Sequence, residues 1–112
     1  MSLSTHVLDT STGRPAAGIS VRLDSRQADG SWATAGRGHT DADGRLRDWL
    51  APGTPPAGRH RLVFETGTYF AAAGTASFFP EITVEFEITA ADEHHHVPLL
   101  LGPFAYSTYR GS

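Results

Sequence analysis

The stretch ITVEFEI, Ile82 to Ile88, alternates without a break: Ile82, Val84, Phe86 and Ile88 point one way, Thr83, Glu85 and Glu87 the other. Successive side chains of a strand face opposite sides, so this spacing predicts a strand with one apolar face on a core and one charged face in water. Upstream, Ile19, Val21 and Leu23 stand in the same way against Ser20, Arg22 and Asp24. Further strands are expected over residues 3–9, 32–40, 59–65, 94–101 and 104–110, with a short one around 45–49. That makes about eight half-buried strands, a number that suits an antiparallel two-sheet sandwich. Thr12-Gly13-Arg14-Pro15, Asp29-Gly30, Asp43-Gly44 and the Pro/Gly-rich segment 51–58 supply the turns. One helix is expected in GTYFAAAG, residues 67–74, with Thr68 capping its first turn and Gly74 and Pro80 bracketing its end.

The 112 residues suit a single domain, 1–112, with one core. Nine basic and twelve acidic residues leave a formal charge of -3, which points away from nucleic acid and from an anionic membrane surface. No cysteine is present, so disulfides, thiolate nucleophiles and Cys-ligated zinc are excluded together. All nine basic residues are arginines, which removes lysine Schiff-base chemistry and leaves the guanidinium as the cationic group. The start MSLSTHVLDT reads as no signal peptide, and no apolar run approaches the roughly 20 residues of a membrane span. A cytoplasmic location is the expectation.

Candidate chemistry gathers in EHHHVPLL, residues 93–100, which holds three of the six histidines. In a strand His94 and His96 share a face and His95 points to the other, so at most two serve one site. The plain reading is a solvated strand end. A zinc site of His94, His96 and a third ligand from His6, His39 or His60 is the metal alternative, but no acidic side chain is placed to orient such ligands. TDADGR, residues 40–45, opens like a calcium loop, yet Pro52 stands where the closing Glu would be, so the Asp-Gly pair reads as a tight turn from which Arg45 emerges. No Gly-x-Ser-x-Gly elbow and no phosphate-binding glycine loop occur. The aromatic segment YSTYRGS, residues 106–112, carries more information than a free tail needs and is expected to pack into something.

Taken together, LSTHVLDTSTGRPAAGI, TDADGR, TGTYF, SFFPEI, EHHHVPLLL and YRGS resemble the transthyretin-related family of 5-hydroxyisourate hydrolases nearly end to end. The resemblance implies a transthyretin-like all-β sandwich of two four-stranded sheets with one short helix, assembled as a homotetramer, a dimer of dimers. Active sites in that family lie in the channel between dimers. The activity implied is hydrolysis of 5-hydroxyisourate to 2-oxo-4-hydroxy-4-carboxy-5-ureidoimidazoline, on the route from urate to allantoin, with no cofactor and no metal. The family's site positions fall on His6, Arg45, His96 and Ser112 as catalytic residues. Tyr109, Arg110, Gly111 and Ser112, with Arg45, fall on its substrate-binding positions. The middle histidine, His95, departs from the aromatic or polar residue common there, and His94 is read as rim or support.

The residue types suit that chemistry. Water attacking a carbonyl of a planar heterocycle needs a base and a positive group for the developing oxyanion. An imidazole with an ordinary pKa of ~6.5 can take the proton, and a planar guanidinium can make two parallel hydrogen bonds to carbonyl and amide edges. Which of His6 and His96 is the base stays open at this point. The alternatives are a non-catalytic carrier of small aromatic molecules, as in transthyretin, and a zinc-dependent hydrolase on His6, His94 and His96.

Overall fold

The computed structural model describes residues 3–112. Along the chain run β1 (Leu3–Asp9), β2 (Arg14–Pro15), β3 (Ser20–Arg26), β4 (Trp32–His39), β5 (Arg45–Leu46), β6 (Gly58–Phe64), α1 (Thr66–Ala72), β7 (Ile82–Ile88), β8 (His95–Leu101) and β9 (Tyr106–Thr108). One sheet has the order β2-β1-β8-β9, with β5 added on β1; the other is β4-β3-β6-β7. The core between them takes Leu3 and Val7 from β1, Leu23 from β3, Leu62 and Phe64 from β6, Ile82 and Val84 from β7, and Leu99 and Leu101 from β8. Burying each such side chain contributes about 1.5–3 kcal/mol, and the alternation in the sequence is what puts them all on inner faces.

The expected two-sheet sandwich is present, and several details differ, among them the last strand, which covers Tyr106–Thr108 rather than 104–110. The first sheet has five strands rather than four, because Arg14 and Pro15, read as a turn, pair with Asp9 and Leu8. A two-residue edge strand tolerates proline, which lacks the N–H that an interior strand needs. The strand expected over 45–49 stops at Leu46, because the chain then turns inward: Trp49 Nε1 donates to Leu3 O at 2.9 Å, and Leu46 and Leu50 lie over Gly38 and Gly36 where no Cβ stands in the way. The helix starts at Thr66, so Thr68 lies inside it and caps nothing. Its first turn is held instead by tertiary backbone bonds, Glu65 N to Ser20 O at 3.0 Å and Gly67 N to Pro80 O at 2.9 Å.

The pairing of β1 with β8 matters most for the site. It is parallel, in register from Leu3 opposite His95 to Asp9 opposite Leu101, inside a sandwich whose other pairs are antiparallel. Side-chain alternation is the same in both directions, so the sequence pattern carried no sign of it.

Candidate active site

On β1 the core-facing residues are Leu3, Thr5, Val7 and Asp9, which leaves Ser4, His6 and Leu8 on the outer face. Register then assembles a site from three distant segments. Ser4 lies opposite His96 across the parallel pair, and His6 lies opposite Arg45 across β1 and β5. Residues facing one another across a ladder share a face, so Ser4, His6, Arg45 and His96 stand together outside the sheet.

Arg45 is held by the turn before it. The Asp41 carboxylate accepts from the backbone N–H of both Asp43 and Arg45 at 2.9 Å, and the bond from Arg45 holds that carboxyl below its usual pKa. Gly44 follows with φ 74, and a Cβ there would meet the backbone of Val7 at 2.5 Å, so both the conformation and the close approach require glycine. The same turn engages His6: its Nε2 donates to Asp43 O at 3.0 Å, because a carbonyl can only accept.

His96 is half-buried. Its Nδ1 lies 2.7 Å from Ser4 Oγ, and that hydroxyl lies 2.9 Å from His94 Nε2. Burial, with the charges of His94, Arg45 and His6 nearby, pushes the His96 pKa below its ordinary value. The neutral ring is therefore the dominant form at neutral pH, and Nδ1 being engaged by Ser4 leaves Nε2 for a bound molecule.

The C-terminal segment closes over this ring. Gly111 forms a bridge with His96, its N–H donating to His96 O at 2.8 Å. A Cβ on Gly111 would collide with the His96 ring, so the glycine of YRGS is required by contact with the histidine and carries Ser112 past it. Arg45, His96 and Ser112, with Ser4, His94 and Arg47, line one cavity of about 320 Å³. His6 stands beside that lining, tied to the turn. Asp48, also at the cavity wall, has φ 55, a left-handed conformation that aspartate tolerates better than most residues.

The other expected site residues sit elsewhere. Tyr109 and Arg110 line a neighbouring hollow of about 280 Å³ with Phe86, His95 and Val97, which shares only the His96 ring with the first cavity. Arg110 reaches Glu93 at 3.3 Å, both of them exposed, an ion pair of small energetic weight. His95 points the other way from its neighbours, is buried, and donates through Nδ1 to Glu93 O at 3.0 Å. His39 is exposed on β4 of the other sheet, and His60 is buried there. Among the described residues no three His, Cys, Asp or Glu side chains group as ligands for a metal ion, so the geometry lends nothing to the zinc set of His6, His94 and His96. Sequence reasoning missed Ser4 and Arg47; for Ser4 the signal lies in the β1–β8 register, which is not written locally.

With this geometry in view, the chain matches the HIUase/Transthyretin family over residues 3–111. It is 47% identical over 110 residues to a 5-hydroxyisourate hydrolase of Salmonella typhimurium, covering 98% of this chain and 80% of that protein. The solved 5-hydroxyisourate hydrolase of Klebsiella pneumoniae superposes with a TM-score of 0.84 at 43% identity, covering 100% of both chains. Sea bream transthyretin in complex with thyroxine gives 0.92 at 31% identity, covering 97% of this chain and 93% of that one. Backbone shape thus lies nearer the thyroxine complex while side-chain identity lies nearer the hydrolases, and both place the fold without doubt: the chain belongs to the HIUase/Transthyretin family.

Proposed function

We propose that the protein is a 5-hydroxyisourate hydrolase that opens its substrate by attack of water, without a cofactor. One observation carries the reading: Arg45, His96 and Ser112, drawn from three separate segments, line one cavity, with His6 on the same sheet face. A carrier of hydrophobic rings has no need of a depressed-pKa imidazole beside a fixed guanidinium. The identity of 47% to a hydrolase, against 31% to the thyroxine complex, supports the same side.

In this reading His96 is the base. Its Nε2 takes a proton from water as the water oxygen bonds to the substrate carbonyl carbon, and returns it to the departing ring nitrogen as the C–N bond breaks. Arg45 orients the planar substrate and stabilises the carbonyl oxygen as it gains charge. His6, its Nε2 already donating to Asp43 O, is assigned to orientation rather than to the base role. Ser112 hydrogen-bonds water or substrate, and Gly111 sets its position. Tyr109 and Arg110, which line the adjoining hollow, reach substrate from a second copy in the proposed homotetramer, a dimer of dimers in which residues 1–112 form one domain.

The test is to generate 5-hydroxyisourate freshly and follow its absorbance with and without protein. Decay accelerated well beyond the spontaneous rate, and retained after treatment with EDTA, is expected. Equal rates would move the protein to the carrier reading, and a loss on chelation restored by zinc would move it to the metal reading.

A further inference from the structure

The Ser4 hydroxyl is shared by two imidazoles: His96 Nδ1 at 2.7 Å and His94 Nε2 at 2.9 Å. A hydroxyl carries one proton, so it can donate to only one of them and must accept from the other. Where that proton is given to one of the two rings, two settings of the trio follow. In one, Ser4 donates to His94 Nε2 and accepts from His96 Nδ1–H, which leaves a lone pair on His96 Nε2. In the other every bond reverses, and His96 presents an Nε2–H that cannot act as a base. The guanidinium of Arg45, a donor with no accepting capacity, lines the same cavity as His96. His6 and His94 are the other titratable side chains whose charge acts on His96. Among donors and cations, a ring nitrogen presenting a lone pair is favoured over one presenting a proton.

We propose that Ser4 is a positioning residue for the hydrolysis: by bridging His94 and His96 it holds His96 as the Nδ1–H tautomer and thereby makes Nε2 the nitrogen that receives the proton of the attacking water. This rests on the hydrolase reading. A free imidazole prefers the opposite tautomer, Nε2–H, so without Ser4 the neutral ring is mostly in the form that cannot accept. Ser4 itself is buried, on β1 directly opposite His96, which keeps it beside the pair. His94, at the other end of this hydrogen-bonded trio, is exposed.

The experiment compares wild type, Ser4→Ala and His94→Asn by two readouts: kcat and KM for 5-hydroxyisourate, and the ¹⁵N shifts of the His96 ring in the protein without substrate. The expected results are a wild-type His96 in the Nδ1–H form, a shift toward Nε2–H in both variants, and kcat lower by at least about tenfold in Ser4→Ala with KM changed less than about twofold. His94→Asn, a change at an exposed position, is expected to lower kcat less, and it decides the matter should Ser4→Ala fail to assemble. A wild-type His96 in the Nε2–H form, or a tautomer and kcat unmoved in the folded variants, overturns the proposal. Wild-type protein that leaves the substrate's decay unchanged overturns the hydrolase reading itself, an outcome visible before any variant is made.

Discussion

Two serine–histidine pairs of nearly equal geometry occupy the two sheets. Ser4 Oγ lies 2.7 Å from His96 Nδ1 on the first sheet, and Ser25 Oγ lies 2.8 Å from His60 Nδ1 on the second. Beyond that bond they diverge. His60 is 2% exposed, lies tilted against Phe86 with ring centres 6.0 Å apart, and donates through Nε2 to Pro56 O at 2.7 Å. Both of its nitrogens are spent on the fold. His96 has the same bond on Nδ1 but turns its other edge to a cavity it shares with an arginine. A serine beside a histidine therefore identifies nothing; what the second nitrogen meets separates a structural ring from a chemical one.

That contrast yields its largest effect when each ring is removed. His96→Asn should lower kcat/KM by roughly 100-fold to 10,000-fold, the usual range for a general base, with little change in melting temperature. His60→Ala should do the reverse, costing about 3 kcal/mol of stability through the void and the unpaired Ser25 and Pro56 groups, while the folded fraction turns over normally. Thermal melts alongside steady-state kinetics check both; a fully active His96→Asn would leave the two histidines equivalent. Next in size, Arg45→Ala should lower kcat/KM at least about tenfold, and Arg45→Lys should not restore it, because an ammonium cannot make the planar two-point contact.

Gly111→Ala should have a smaller effect, since its methyl drives the chain end off the His96 ring and misplaces Ser112 without removing any reacting group. A fall in kcat of several-fold with an unchanged oligomer, read by kinetics and size-exclusion chromatography, is the expected result. The subtlest effect is in pH. The His96 pKa is depressed, the base form is the neutral ring, and so activity should persist on acidification through ~6.5 and fall only as pH passes below the lowered value. A kcat/KM profile whose acid limb lies at or above the ordinary histidine value would remove His96 from the base role.

Much of this was legible in the chain. The alternation in ITVEFEI and around Ile19 to Leu23 located β7 and β3, because burial on one face of a strand leaves a period of two in any sequence. The Asp-Gly turn at 43–44 was legible for a local reason: a left-handed residue after an aspartate selects glycine. Thr68 misled as a cap, since the bonds that start α1 come from Pro80 and Ser20, far from it in the chain. His94 and His96 were readable as one face and His95 as the other, by alternation alone.

By itself, then, the sequence determined the strands other than the two-residue β2, the two-sheet class and the rigid perch of Arg45, which arise from short-range periodicity and turn chemistry, and it carried the motifs of the family resemblance. Only the tertiary structure decided that β1 and β8 run parallel, that Ser4 joins two imidazoles 90 and 92 residues away, and that His60 is sealed while His96 faces a cavity. The physical reason is that an alternating pattern states which face a side chain takes, but the partner strand, its direction and its register are chosen by packing between segments that have no local record of one another.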